Sequence, residues 1–328
     1  MIANDALFWM NGRLATGLLE ISHDPSSLDD GGFWAVSTSF EGHFTGARFE
    51  KVVDAEFPAH PWQKIEGRWS TSKSESEYVE YVKAIQSAIA QGWVYQVNAC
   101  RELSTSIVGV QNLRGLFSQI LIENPAPWAS YLEIPDVNIA SASPELFLKR
   151  DGDLVLTSPI KGTQLPGQQD FGAKDVAENI MIVDLMRNDL GAICKSGTVT
   201  VPRLLASEPH PGLVHLVSDV QGQLHKEITW TQIFNSLLPP GSVSGAPKSS
   251  AVKVISEFEN ARGPYCGALG WVQGDECELS VAIRIFFKSG GLKFGTGAGI
   301  TWGSDAASEW EETQLKARKL IAIAGGEL

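Results

Sequence analysis

Leu146-Phe147-Leu148-Lys149-Arg150-Asp151-Gly152-Asp153-Leu154-Val155-Leu156-Thr157 is two short apolar runs joined at Asp-Gly. That dipeptide between such runs is a strong hairpin signal, because a tight turn needs positive φ and glycine tolerates it. The same grammar recurs outward. Ala129 to Ile134 and Asn138 to Ala142 read as strands, and Leu269 to Thr301 as a strand block turning at Gly274-Asp275 and Gly290-Gly291. Helical spacing interrupts them. Tyr78, Tyr81, Val82, Ile85, Ala88 and Ile89 fall at i, i+3, i+4 between a Ser74 or Ser76 cap and Gly92. Asn112 to Glu123, Ala173 to Arg187, Thr229 to Leu238, Pro247 to Asn260 and Ala306 to Ala324 read as further helices. Hairpins interleaved with long helices predict an α+β protein with largely antiparallel sheets. A doubly wound parallel sheet fits poorly.

The bulk numbers exclude several classes. A chain of 328 residues, 43% hydrophobic, is long enough for one large or two ordinary domains with a substantial core. Its net charge of −12, from 26 basic and 38 acidic residues, argues against a nucleic-acid surface. No apolar run reaches bilayer length, and Met1-Ile2-Ala3-Asn4-Asp5 has no basic leader region, so no membrane partner and a cytoplasmic location are expected. Cys100, Cys194, Cys266 and Cys277 lack disulfide-framework or metal-ligand spacing and are expected to be reduced thiols. An acidic protein binding an anionic metabolite needs a metal ion or a placed arginine.

Chemistry gathers beyond the hairpin. Ser158-Pro159-Ile160-Lys161-Gly162-Thr163 sets one long cationic side chain between two backbone punctuators. Ser143-Pro144-Glu145 stands at the other mouth of the strand–turn–strand, so a potential amine nucleophile and a potential proton donor converge. Taken alone, Lys161 is by default a solvated turn lysine. In the helix Ala173 to Arg187, the continuous apolar run Ile180-Met181-Ile182-Val183 predicts burial, with Glu178 at its opening. Glu309, Glu312 and Lys316 share one face of the last helix. Two glutamates from separate helices, with water completing the shell, would suit Mg²⁺ and a carboxylate-bearing substrate. The loop Gly241 to Ser249 lacks phosphate-loop spacing and reads as a helix-entry loop with amides available to an anion. Arg284, flanked by strand residues, awaits a partner or an anion. Gly295-Thr296-Gly297-Ala298-Gly299 offers main-chain amides to a carboxylate, and His215 reads as a core histidine.

In this order, Ser143-Pro144-Glu145, Pro159 to Thr163, Ala177-Glu178-Asn179, Ile182 to Asp189, His215 to Ser218, Gly241 to Lys248, Ile283-Arg284, Gly297 to Ile300 and Glu309 to Lys316 resemble the chorismate-utilising enzymes over roughly residues 72–325. The resemblance implies an α+β fold of two antiparallel β-sheets packed face to face and flanked by helices. It also implies a catalytic domain over 72–325, with a shortened strand-rich segment, 1–71, packed on it. Two positions sort the branches. Lys161 matches aminodeoxychorismate synthase component I, where anthranilate synthases usually carry a small residue. Gln96 stands where isochorismate and salicylate synthases place a lysine base.

For the site, the resemblance implies Lys161 as nucleophile and Glu145 as proton donor, with Mg²⁺ held by Glu178 and Glu312. Arg284 with Gly297, Ala298 and Gly299 would hold a substrate carboxylate, and Thr163, His215, Tyr265, Lys316 and Gln96 would be supporting contacts. Chorismate and ammonia are the expected substrates. No cysteine sits in a glutaminase context, so ammonia is expected from solution or from a glutamine amidotransferase subunit. Anthranilate synthesis and a non-catalytic chorismate-binding subunit are the alternatives. The short N-terminal segment predicts no tryptophan feedback.

Overall fold

In the computed structural model, which describes residues 5–107, 109–164, 167, 171–210 and 213–328, the hairpins form as the sequence predicts. Leu146–Asp151 pairs with Leu154–Ser158, closing at Asp151 opposite Leu154 with Gly152 at φ 61°. Leu146–Asp151 also pairs on its other side with Glu276–Val281. The pairings run through eighteen strands without a break. All of these are antiparallel; Gly325–Glu327 and Ile65–Arg68 form a separate, parallel two-stranded sheet. The expectation of two antiparallel sheets packed face to face is met in the pairing direction but not as two separate hydrogen-bonded sheets.

Residues before 72 are woven into this network. Leu7–Met10 pairs with Trp128–Ile134, and Phe33–Thr38 pairs with Ala268–Gln273. Six α-helices occur among the described residues: α1 (Glu75–Ala90), α2 (Arg114–Glu123), α3 (Ala173–Gly191), α4 (Trp230–Leu237), α5 (Lys248–Phe258) and α6 (Ala306–Ala324). Ser74 caps α1 in a reciprocal box, its hydroxyl accepting from Glu77 N while Glu77 Oε2 accepts from Ser74 N. Tyr78, Tyr81, Val82 and Ile85 form the buried stripe of α1. Thr229 caps α4 in the same way, through Gln232. α3 extends one turn beyond the expected Arg187, because Asp189 and Leu190 are also buried.

One expectation needs correction. Ile180 is exposed although it lies in a continuous apolar run, and only Ile182 and Val183 of that run are buried. A helix packed on one side buries a stripe, so an unbroken apolar stretch overstates burial. The four cysteines are free and buried. Among the described residues, no helix is long and apolar enough to cross a membrane.

Two apolar clusters hold the layers together. The larger gathers Trp34, Tyr78, Tyr81 and Trp230. The smaller lies between α2, α6 and the strands, where the Phe117 ring is 4.7 Å from Phe57, 5.5 Å from Tyr131 and 5.7 Å from Trp9. Phe117 is fully buried on a face that carries only its own helix to the sheet. Phe117→Ala should therefore cost about 3–5 kcal/mol of unfolding free energy, read as a lower denaturant midpoint with an unchanged slope.

Candidate functional site

The hairpin register brings the two candidate reactive groups together. Leu146 is paired with Ser158, so Glu145, one residue before, and Lys161, three residues after, emerge at the same end. Lys161 lies in the strand Ile160–Gln164 rather than in a solvated turn. Gly162 has φ 82°, and a Cβ there would meet Asp175 Cβ at 2.9 Å, so only glycine lets this strand lie against α3. Lys161 Nζ donates to the Ser242 carbonyl oxygen at 2.8 Å. The Ser242 hydroxyl donates to Glu145. One residue of the Gly241–Val243 turn thus touches both groups.

Their protonation is set by opposed effects. Burial raises the Glu145 carboxyl, and nearby Lys161, Ser242, Lys316 and Arg284 limit the rise to about 6. Burial depresses the Lys161 amine below its usual range, against the pull of Glu145, Glu178 and Glu312. A carboxyl raised toward neutrality beside an amine lowered toward it can pass a proton between them, which a donor–nucleophile pair requires.

The floor of the site is the antiparallel pair Gln96–Thr105 and Leu292–Ile300, in register Asn98 to Gly299 and Cys100 to Gly297. A Cβ at Gly299 would stand 2.4 Å from Gln96 Nε2 and 3.7 Å from Glu178 Oε2, so the missing side chain keeps open a place lined by both. Gln96 is buried, and its Oε1 has no hydrogen-bond partner. Ala298 is buried between the two glycines. Lys316 Nζ donates to the Gly297 carbonyl oxygen at 3.0 Å and lies 2.7 Å from Glu312 Oε1. Tyr265 packs beneath the strand, its ring filling the space where Gly295 lacks a Cβ.

Arg284 sits at φ 53°, a left-handed conformation uncommon for a non-glycine residue. Burial lowers its guanidinium pKa while Glu145 raises it. Its side chain makes no hydrogen bond or ion pair among the described residues, and Glu145 is the charged group that acts on it. His215 is buried and paired in register with Thr163 and Glu208. The Thr163 side chain lies outside the described residues.

The acids of the expected metal site converge from α3 and α6. Burial raises Glu178, with Lys161 and Lys174 working against it. Burial, the largest effect on Glu312, raises it, but Lys316, Lys174 and Lys161 together hold the carboxyl below its usual value. Glu178 Oε1 and Glu309 Oε2 are buried without hydrogen-bond partners. Among the described residues, no group of three or more His, Cys, Asp or Glu stands close enough to hold an ion by itself. Of the expected pair, Glu178 has unfilled acceptor capacity while Glu312 is paired with Lys316; with Glu309 as the second unfilled carboxylate, the set still fits Mg²⁺, which takes one or two protein carboxylates and completes its shell with water and substrate.

Two side chains here escaped the sequence reading. Ser242 belonged to a loop read as an anion cradle, yet its carbonyl serves a cation. Lys174 lies 2.7 Å from Glu309 Oε1 and 3.8 Å from Glu178 Oε1. Its only signal was the i, i+4 spacing to Glu178. Lys248, in the stretch compared with a phosphate loop, pairs with Asp189 Oδ2 at 2.7 Å and binds the end of α3 to α5.

A family model of chorismate binding enzymes matches residues 37–322. The chain belongs to that family. It is 34% identical over 336 residues to aminodeoxychorismate synthase component 1 of Escherichia coli, covering 94% of this chain and 74% of the relative. It is 36% identical over 264 residues to anthranilate synthase component 1 of Neisseria gonorrhoeae, covering 76% of this chain. The match spans 53% of that relative's length, about half. Among solved structures, anthranilate synthase component I of Streptococcus pneumoniae superposes with a TM-score of 0.81 at 21% identity, covering 98% of this chain and 93% of that one. The menaquinone-specific isochorismate synthase of Escherichia coli gives 0.79 at 18%, covering 97% and 88%. The last two likenesses carry the fold alone.

The depressed Lys161 predicts a labelling experiment. At about pH 8, where ordinary lysines are protonated, Lys161 should react with trinitrobenzenesulfonate faster than the exposed lysines. Glu145→Gln should speed it further, because the lost negative charge had favoured the ammonium. Peptide mass spectrometry reads both; equal rates at all lysines would remove the assignment of Lys161 as a poised amine.

Proposed function

We propose that this chain is an aminodeoxychorismate synthase component I, joining chorismate and ammonia to give 4-amino-4-deoxychorismate for p-aminobenzoate formation. What carries the reading is the pairing of a depressed amine, Lys161, with a raised carboxyl, Glu145, bridged by Ser242. A site that only binds has no use for a desolvated amine beside a carboxyl raised toward neutrality. The relatives named aminodeoxychorismate synthase component 1, at 32–34% identity, support the same branch.

In this mechanism the neutral Lys161 amine forms a bond to C2 of chorismate, both ring double bonds shift by one position, and the C4–O bond breaks. Glu145 gives its proton to the departing hydroxyl, which leaves as water, and takes one from the new ammonium at C2. Ammonia then bonds to C4, both double bonds return, and Glu145 protonates the lysine as it leaves. The C4 ammonium restores the proton to Glu145. Arg284 and the amides of Ala298 and Gly299 would hold the enolpyruvyl carboxylate, supported by Gly297, Thr163, His215, Tyr265, Lys316 and Gln96. Glu178 and Glu312 would hold Mg²⁺, which supplies positive charge for the ring carboxylate. A separate glutamine amidotransferase subunit, in a cytoplasmic setting, would deliver the ammonia.

The second reading, anthranilate synthesis, is favoured by the 36% identity to anthranilate synthase component 1. The product decides between them. With chorismate, Mg²⁺ and ammonium, the proposal expects a product that keeps the enolpyruvyl group and carries an amine at C4. Anthranilate with free pyruvate would overturn it. Lys161→Ala should lower C4 amination by at least about 100-fold while the chain stays folded; undiminished amination would remove the covalent step.

The pH profile follows from the two shifts. The competent form carries a proton on Glu145 and none on Lys161, a minor tautomer of the singly protonated pair. That pair dominates between the two pKa values, so kcat/KM at fixed free ammonia should rise through about pH 6 and fall above the lowered pKa of Lys161. Glu145→Gln should abolish the rising limb in whatever activity remains.

A further inference from the structure

Lys174 bridges acids from two helices. It starts in the first turn of α3, and its ammonium lies 2.7 Å from Glu309 of α6 and 3.8 Å from Glu178 one turn along. The three side chains differ sharply in freedom. The Lys174 side chain is 49% exposed, whereas Glu178 is 14% and Glu309 only 3% exposed. The cation therefore has an open path to solvent and the two carboxylates do not. Nor does the ammonium complete their hydrogen bonding, for Glu178 Oε1 and Glu309 Oε2 remain buried without partners. Two carboxylates held in place, incompletely satisfied and half-compensated by one withdrawable charge, form a site whose present cation is exchangeable.

We propose that Lys174 is an internal counter-cation for the acidic cluster, and that a divalent ion enters by displacing it. The inference rests on the magnesium reading above but adds what that reading lacks: a residue that sets how tightly the ion binds. With the lysine in place, the negative charge of the two buried acids is offset by one unit when no ion is bound. When the ion arrives, ion and ammonium repel, and the side chain with access to water is the one that moves. Removing the lysine removes the competitor. It also leaves the ion-free acids without their internal partner, and both effects favour the ion.

The test uses the full chain and Mg²⁺ as the probe. By titration calorimetry, Lys174→Gln should bind Mg²⁺ roughly 3- to 10-fold tighter than the unaltered protein. Lys83→Gln, which removes an equally positive lysine paired with Glu80 on the exposed side of α1, should leave the affinity unchanged. In the unaltered protein, Mg²⁺ should raise the acetylation of Lys174 by acetic anhydride several-fold, read by peptide mass spectrometry, with no such rise at Lys83. Equal or weaker Mg²⁺ binding by Lys174→Gln, or acetylation indifferent to Mg²⁺, overturns the exchange while leaving the metal reading standing. No Mg²⁺ binding by either protein overturns both.

Discussion

Charge balance in a desolvated place is the constraint on which this site depends. Glu145, Glu178, Glu309 and Glu312 converge with Lys161, Lys174, Lys316 and Arg284, four acids against four cations. A buried ion without a partner costs several kcal/mol, so no member can be placed alone. The protein's overall excess of acids makes the local balance more telling. Three lysines and an arginine have been drawn out of a scarce basic complement into one cleft, and the remaining surface is left strongly negative.

The scaffold holds those charges at fixed separations. Glu145 and Lys161 are tied by a hairpin register, which a one-residue slip would destroy by turning every side chain to the other face. Glu309, Glu312 and Lys316 are tied by helical spacing on α6, and α6 packs on the strand Leu292–Ile300 whose glycines open the floor. Beneath that strand, Arg262 lies fully engaged with Glu259, the Val243 carbonyl and the Asn98 carbonyl. It thereby fixes the turn that carries Ser242. The reactive pair rests on backbone held by a second, satisfied ion pair, which keeps the carbonyl at Lys161 in place without adding net charge.

The sequence made periodic information legible and missed what depends on long-range packing. Asp151-Gly152, the α1 stripe and the bounds of α6 could be read directly, because each is decided by residues within one turn or one hairpin. The meeting of Glu145 and Lys161 was legible for the same reason. Ile180 was misread because an apolar run says nothing about which side of a helix meets a neighbour. Lys174 was passed over because its partner Glu309 lies 135 residues away, and Ser242 because its function comes from a main-chain carbonyl, an atom every residue possesses. The weave of residues 5–71 into the sheet is likewise a pairing decision that strand propensity cannot make.

The four-against-four balance bears on the order of events in the site. Once Lys174 has withdrawn, a divalent ion would leave the cluster positive by one, and a dianionic substrate would then take it to negative by one. Ion and substrate, opposite in charge, therefore support each other's binding. Lys161 benefits in the same direction. A divalent ion beside Glu178 and Glu312 would screen the carboxylates that now favour its ammonium, and so would shift Lys161 toward the free amine.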